Sequence, residues 1–247
     1  QQTRAMLRSH TAAGEDVIEF AVPHTLAFTF FPAWASALRE RFGPFKSRLI
    51  ALNVHDAVMR LAEGSCDLLL AYHHAALPFQ LDAERYEMVT LGQETLAPYS
   101  RPDAQGHPLF PLPGLAAQPL PYLGYAPGAY LGQVVDFMLR QTGVPTHLDR
   151  VYETDMAEGL KAMALQGHGL AFLPQSAVRS ELRAGRLVGA APAQEAGRWQ
   201  VTMDVRLYRE KPQPRDSGRS SHRGTPKRTA QALWDHLLRA HQGAGVD

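Results

Sequence analysis

The chain has 247 residues and a net charge of +1, and 45% of its residues are hydrophobic. Its 20 Gly and 18 Pro are too few for a collagen-like or wholly disordered chain. The near-neutral charge provides no global field that would attract nucleic acid or an anionic membrane. The single Cys excludes an internal disulfide and a multi-cysteine zinc site, and it fits a reducing, cytoplasmic compartment. No stretch approaches the roughly 20 apolar residues that a membrane helix needs, so we expect no membrane partner.

The first part of the chain alternates strand-like runs with amphipathic helices. Apolar runs rich in strand-forming residues predict three strands, at 17–22, 48–52 and 67–72. Apolar residues at helical spacing predict a helix over 26–42, which Pro32 interrupts, and a second helix over 54–61. Nearly continuous apolar strands separated by helices favour a parallel sheet that is buried on both faces.

The same pattern returns later in the chain. Further strands are predicted at 122–125, 148–153 and 169–173, with helices between them. The first and third strands of each unit begin at nearly the same spacing, 50 positions in the first unit and 47 in the second. Two β-α-β-α-β units of similar length predict two similar Rossmann-like α/β lobes. A long strand over 199–208 and an amphipathic helix over 230–238 follow, and this helix needs an apolar partner, most simply the first lobe.

Polar residues follow the predicted strands at the edge where open parallel sheets bind ligands. In the first unit these residues are His24, Thr25, Asn53, His55 and His73. In the second unit they are Gly128, Thr154 and Asp155. Two facing lobes would place both sets around one cleft, where helix N-termini favour a small anionic or strongly polar ligand.

These residues also have plainer interpretations. The histidines suggest a metal site, but no carboxylate or thiol joins them at ligand spacing, so we favour polar pocket lining. Thr25, Thr154 and Asp155 are either helix caps or ligand contacts. Met156 is a candidate for oxidation by a small oxidant, with core packing as the alternative.

The common catalytic signatures are missing from the sequence. It contains no G-x-S-x-G, no phosphate-binding G-x-x-x-x-G-K-[ST], no H-E-x-x-H and no G-x-G-x-x-G. We therefore expect a protein that is not an enzyme and needs no cofactor. If it were an enzyme on the same scaffold, His55 and Asp155 would be the first candidates for an acid or base.

The order and spacing of several segments resemble a known family. The run VPHTLAFTFFPAWASALRERFG, the later VMRLAEGSCDLLLAY and the run GLKAMALQGHGLAFLPQSAV are together similar to the effector-binding domain of LysR-type transcriptional regulators. The segment ETLAPYSRPDAQGHPLF resembles the subgroup that responds to hypochlorite and related oxidants. The chain departs from the common family pattern at Asn53-Val54-His55, which replaces small residues, and in its longer segment at 210–226.

The resemblance implies a type II periplasmic-binding-protein-like fold, with mainly parallel sheets in two lobes joined by crossover strands near 89–97 and 199–207. Residues 15–93 and 205–247 would form lobe I, 94–204 would form lobe II, and 1–13 would end a linker helix. Carried over by position, the residues expected to touch the effector are Thr25, Asn53, His55, His73, Gly128 and Thr154.

The resemblance also implies homodimers or homotetramers and DNA binding through a winged helix-turn-helix that is absent from this sequence. We therefore predict the effector-sensing domain of a transcription factor that responds to a small-molecule effector or an oxidant. A periplasmic solute-binding protein shares the two-lobed architecture and is the first alternative. An enzyme on the same scaffold is the second.

Overall fold

The computed structural model describes residues 17–78, 81–212 and 227–243, and the predicted linker helix at 1–13 lies outside them. The chain divides into two compact units. Unit 1 contains the chain up to Ala71, the stretch from 81 to Leu91 and the stretch from Arg206 onward. Unit 2 contains residues 72–78 and Gly92–Val205.

Unit 1 begins as two β-α-β steps. Its first elements are β1 (Val17–Pro23), α1 (His24–Thr29), α2 (Phe31–Phe42), β2 (Lys46–Leu52), α3 (Val54–Ala62) and β3 (Leu68–His73). β1 pairs in parallel with both β2 and β3, as the apolar runs predicted. The predicted interruption is confirmed, because α1 ends before Phe30 and Pro32 lies in the first turn of α2, where its missing N–H costs nothing.

Unit 2 repeats this plan. Its elements are β5 (Leu120–Tyr125), α4 (Tyr130–Gln141), β6 (Leu148–Thr154), α5 (Ala157–Leu165), β7 (Leu170–Pro174), α6 (Gln175–Arg183), the short β8 (Val188–Gly189) and a 3-10 helix (Ala193–Trp199). β5 is the central strand of the parallel part and pairs with both β6 and β7. Every residue of β7 is buried, as expected for a strand covered on both faces.

Two long strands contribute to both units. They are β4 (Tyr86–Ser100) and β9 (Val201–Glu210), which are neighbours in the strand order β2-β1-β3-β9-β4-β7-β5-β6. Along β4 the chain passes from unit 1 to unit 2 after Leu91, and along β9 it returns to unit 1 after Val205. The predicted fold of two α/β units joined by long strands, with mostly parallel pairing, is therefore confirmed.

The last helix, α7 (Arg228–Gly243), packs on β1 in unit 1. Lys227, just before it, donates to the Val17 carbonyl (2.8 Å) and to the Asp67 carboxylate (3.0 Å), which is buried. Farther along, the Arg209 guanidinium lies 4.6 Å from the ring centroid of the buried Trp234. These contacts stabilise the packing of α7 on unit 1. The sequence predicted this partner from the apolar face of the helix.

Residues 72–78 differ from the sequence expectation, which placed all of 15–93 in one lobe. In the structure they group with unit 2. The backbone N–H of His74 donates to the Tyr130 hydroxyl at 2.8 Å, and the His74 ring lies 5.2 Å from that of Phe137. Both partners belong to α4, so these contacts attach the segment that follows β3 to unit 2.

Candidate functional site

In unit 1, the candidate residues lie where neighbouring strands end. Pro23 of β1 is in register with Leu52 of β2, so His24 and Asn53 follow the carboxyl ends of adjacent parallel strands. His55 is exposed in the first turn of α3. The sequence prediction that His24, Asn53 and His55 share one edge of unit 1 agrees with this register.

Asn53 is the N-cap of α3. Its Oδ1 accepts from the backbone N–H of Asp56 at 2.8 Å, and its Nδ2 donates to the Asp56 carboxylate at 2.9 Å. The side-chain oxygen thus satisfies one of the free amides at the start of the helix. The Asn53 side chain is exposed but already engaged in the cap.

Thr25 lies in the first turn of α1 and is buried, with 3% of its surface exposed. No side chain caps α1, which starts directly after Pro23. The Thr25 carbonyl accepts from the Thr29 hydroxyl at 2.8 Å. Thr25 therefore does not serve as a helix cap, one of the two interpretations that the sequence left open.

In unit 2, the candidates Gly128, Thr154, Asp155 and Met156 follow β5 and β6. Tyr125 is in register with Thr154, and the N–H of Ala126 donates to the Thr154 carbonyl at 2.9 Å. Gly128 has a φ of 84°, a left-handed conformation that favours glycine. The turn before α4 therefore disfavours any residue with a side chain at position 128.

The sequence left Thr154 and Asp155 as helix caps or ligand contacts, but α5 begins at Ala157 and its N-cap is Met156. The Thr154 hydroxyl accepts from the Met156 N–H at 3.3 Å, which orders the turn before the helix. Asp155 is exposed, and Met156 is partly buried. Neither Thr154 nor Asp155 is therefore the N-cap of α5.

His73 is the last residue of β3 and is partly buried in unit 2. Among the described residues, the structure finds no group of three or more His, Cys, Asp or Glu side chains that could hold a metal ion. No helix in the described ranges is long and apolar enough to cross a membrane.

Sequence reasoning missed Glu94, a buried carboxylate at the same edge of unit 2. Glu94 lies on β4 and is 8% exposed. Its Oε1 accepts from the backbone N–H groups of Ser176 (3.2 Å) and Thr95 (3.1 Å), and its Oε2 accepts from the Ser176 hydroxyl. Because 82 positions separate Glu94 from Ser176, no local sequence motif predicts this contact.

Three buried tyrosines of unit 2 have hydroxyl groups with raised pKa values. The Tyr125 hydroxyl donates to the Phe172 carbonyl at 2.9 Å, and burial raises its pKa well above the usual range. Burial raises the pKa of Tyr99 to about 12, with a further contribution from the Glu94 charge. Burial also raises the pKa of Tyr122 to about 12, against the opposing effect of Arg150. These hydroxyls therefore stay protonated at neutral pH.

The methionines differ in exposure. Met59 and Met88 in unit 1 are 42% and 44% exposed, whereas Met138 and Met203 are buried. Cys66 is buried, as the sequence predicted. Exposure alone therefore makes Met59 and Met88 more reactive toward a dissolved oxidant than the partly buried Met156.

Comparison with known families gives one match that covers nearly the whole chain. Residues 12–242 match the family described as LysR substrate binding domain. Two curated relatives are each 30% identical over 185 residues, which is 74% of this chain. They are the HTH-type transcriptional regulator YjiE of Escherichia coli strain K12 and the HTH domain-truncated transcriptional regulator QseD of Escherichia coli O157:H7. The match spans 57% of the length of the first relative and 72% of the second.

Solved structures show the same fold. The apo regulatory domain of HypT from Salmonella typhimurium is 24% identical, with a TM-score of 0.70 over 93% of this chain and 96% of that one. Full-length HypT, described as a hypochlorite-specific LysR-type transcriptional regulator, has a TM-score of 0.71 at 24% identity over 99% of this chain and 75% of its own. DarR of Vibrio fischeri, solved with DNA, has a TM-score of 0.69 at 22% identity, over 96% of this chain and 72% of its own.

Proposed function

The chain belongs to the LysR substrate-binding domain family, and from this premise we propose that it is the sensory part of a DNA-binding transcription regulator. The observation that carries the proposal is the family match over residues 12–242, together with the two α/β units that repeat one strand order. In the proposed protein, a winged helix-turn-helix outside this sequence reads DNA, and this domain pairs with copies of itself as a dimer or tetramer in the cytoplasm.

The proposed effector contacts are the edge residues that the sequence predicted in each unit. These residues are His24, Thr25, Asn53, His55, His73, Gly128, Thr154 and Asp155. Support comes from the register of the parallel strands, which places Asn53 and Thr154 immediately at strand ends. An effector that prefers one arrangement of the units shifts the population toward that arrangement, and the oligomer transmits the shift to DNA. The domain acts by binding and not by catalysis.

The resemblance to hypochlorite-responsive regulators supports a second trigger at the same edge, namely oxidation of Met156. Hypochlorous acid transfers its oxygen to the thioether sulfur and leaves as chloride and a proton. The product, methionine sulfoxide, is polar, and at Met156 it changes the N-cap of α5. We expect a regulator that loses this response when Met156 is replaced by Leu.

Site-resolved mass spectrometry after mild hypochlorite treatment tests this trigger. We expect sulfoxide at Met156 in addition to the more exposed Met59 and Met88. Met59→Leu is the matched control and should leave the response of the full-length regulator unchanged. An unmodified Met156 under conditions that oxidise Met59 and Met88 contradicts the proposed trigger.

The class of protein is tested by the coding sequence upstream of Gln1. The proposal expects a winged helix-turn-helix joined to this domain through a helix. A secretory leader there would instead indicate a periplasmic solute-binding protein and would overturn the proposal.

A further inference from the structure

Glu94 lies beyond the carboxyl end of β7, although its own strand runs in the opposite direction. β4 pairs antiparallel with β7, and Leu96 is in register with Pro174, the last residue of β7. Two residues before Leu96, β4 therefore passes the point where α6 begins, at Gln175. Strand pairing alone brings the Glu94 carboxylate to the N-terminus of α6.

The carboxylate takes the position at α6 that a bound anion would take. Ser176, the second residue of the helix, gives Glu94 both its backbone N–H and its hydroxyl. Free amides and the helix dipole make such an N-terminus attractive to anions. In the described ranges no Lys, Arg or His reaches ion-pair distance of Glu94, so α6 and the Thr95 amide supply the hydrogen bonds that stabilise its buried charge.

Two basic side chains of unit 2, those of Arg150 and Lys161, are bound to other acceptors. Arg150 donates to the Tyr125 carbonyl (2.8 Å) and to Glu153 (3.2 Å). Lys161, on α5, donates to the Ala177 carbonyl of α6 (3.0 Å). Each of these cations already has an acceptor. A second anion beside Glu94 would therefore meet like-charge repulsion, and the cations of Arg150 and Lys161 already have other acceptors.

We propose that Glu94 is a specificity-determining residue of the effector site: its carboxylate occupies the anion position at the N-terminus of α6 and excludes ligand carboxylates and phosphates from it. The effector then meets this part of unit 2 through a neutral or cationic polar group. This inference rests on the proposed function and names the ligand class of that site. The raised pKa of Tyr99, to which Glu94 contributes, agrees with a negative potential here.

Chemical rescue tests the proposal. Glu94→Ala removes a CH₂–COO⁻ fragment, and acetate has the same charge and nearly the same shape. We expect acetate to raise the thermal unfolding temperature of Glu94→Ala saturably, while acetamide, the neutral analogue, does not. The wild-type chain should show no saturable response to acetate, because its own carboxylate fills the position.

Controls separate this site from general salt effects. Sodium chloride at equal ionic strength accompanies each titration. Glu195→Ala removes an exposed carboxylate that pairs with Arg198 and should not create an acetate response. The double variant Glu94→Ala/Ser176→Ala should lose most of the rescue, because acetate then lacks the hydroxyl donor.

If Glu94→Ala does not fold unaided, refolding in acetate is compared with refolding in acetamide, and selective recovery in acetate supports the proposal. Saturable acetate binding by the wild-type chain overturns it, as does an equal response of Glu94→Ala to acetate and acetamide or no response to either. None of these readouts involves DNA. Failure of the DNA-binding function and failure of the Glu94 assignment are therefore distinguishable.

Discussion

In unit 1 the helix after β2 is capped by Asn53, three positions from the amide that it binds, whereas in unit 2 the helix after β7 is capped by Glu94, 82 positions away. Asn53 is neutral and exposed; Glu94 is charged and buried. The two units thus repeat one strand order but differ in the group that satisfies a helix N-terminus: a local, exposed amide that also contacts Asp56, or a distant, buried carboxylate.

Removing the distant cap should have the largest effect on stability. Glu94→Ala leaves the N–H and hydroxyl of Ser176 without their charged acceptor in a buried place. Hydrogen bonds to charged groups contribute roughly 1.5–3 kcal/mol each, so we expect a loss of about 3 kcal/mol in the free energy of unfolding. Urea unfolding measures it, and a loss below about 1 kcal/mol would mean that the carboxylate does not stabilise α6.

Alkaline pH should lower the free energy of unfolding through the buried Tyr122 of unit 2. The pKa of Tyr122 is raised by burial from 10.0 to about 12, so folding favours its protonated form. The corresponding stability is fully present below pH 10 and is lost as pH rises toward 12, by up to about 2.7 kcal/mol. Tyr122→Phe keeps the ring and should make the unfolding free energy less dependent on pH in this window. An unchanged slope in this variant would contradict the assignment.

Removing the local cap should have the smallest effect. Asn53→Ala deletes one exposed N-cap, and such substitutions cost about 1 kcal/mol. Asn53→Asp should retain the cap, since its carboxylate also accepts from the Asp56 amide, although the nearby Asp56 charge offsets part of the gain. Urea unfolding of both variants and of Glu94→Ala compares the loss in the free energy of unfolding for the local cap with the loss for the distant cap. Equal losses for Asn53→Ala and Glu94→Ala would remove the contrast between the units.

The same contrast explains what the sequence could predict. Helices and strands follow from apolar spacing, and the break at Pro32 follows from its missing N–H. The position of Asn53 follows from the parallel pairing of β1 and β2, because neighbouring parallel strands end at the same edge of the sheet and Asn53 directly follows β2. Asn53 was predicted to lie at the edge, and its cap is a short-range contact of a familiar kind.

Long-range contacts account for the parts that the sequence did not predict. The pairing of Glu94 with Ser176 depends on the antiparallel register of β4 and β7, which no spacing pattern encodes. The attachment of residues 72–78 to unit 2 depends in the same way on Tyr130 and Phe137 of α4. The N-cap of α5 is Met156 and not Thr154 or Asp155, because the Thr154 hydroxyl accepts from the Met156 N–H in the turn before the helix.

Binding of the full-length regulator to fragments of the genome that encodes it, with and without hypochlorite, tests the central claim most directly. The account predicts sequence-specific binding by a dimer or tetramer whose affinity or footprint changes on oxidation or on addition of effector. It also predicts that Met156→Leu abolishes the oxidant response while keeping the DNA complex. A full-length protein that binds no DNA under either condition would contradict the assignment of this chain as the sensory domain of a transcription regulator.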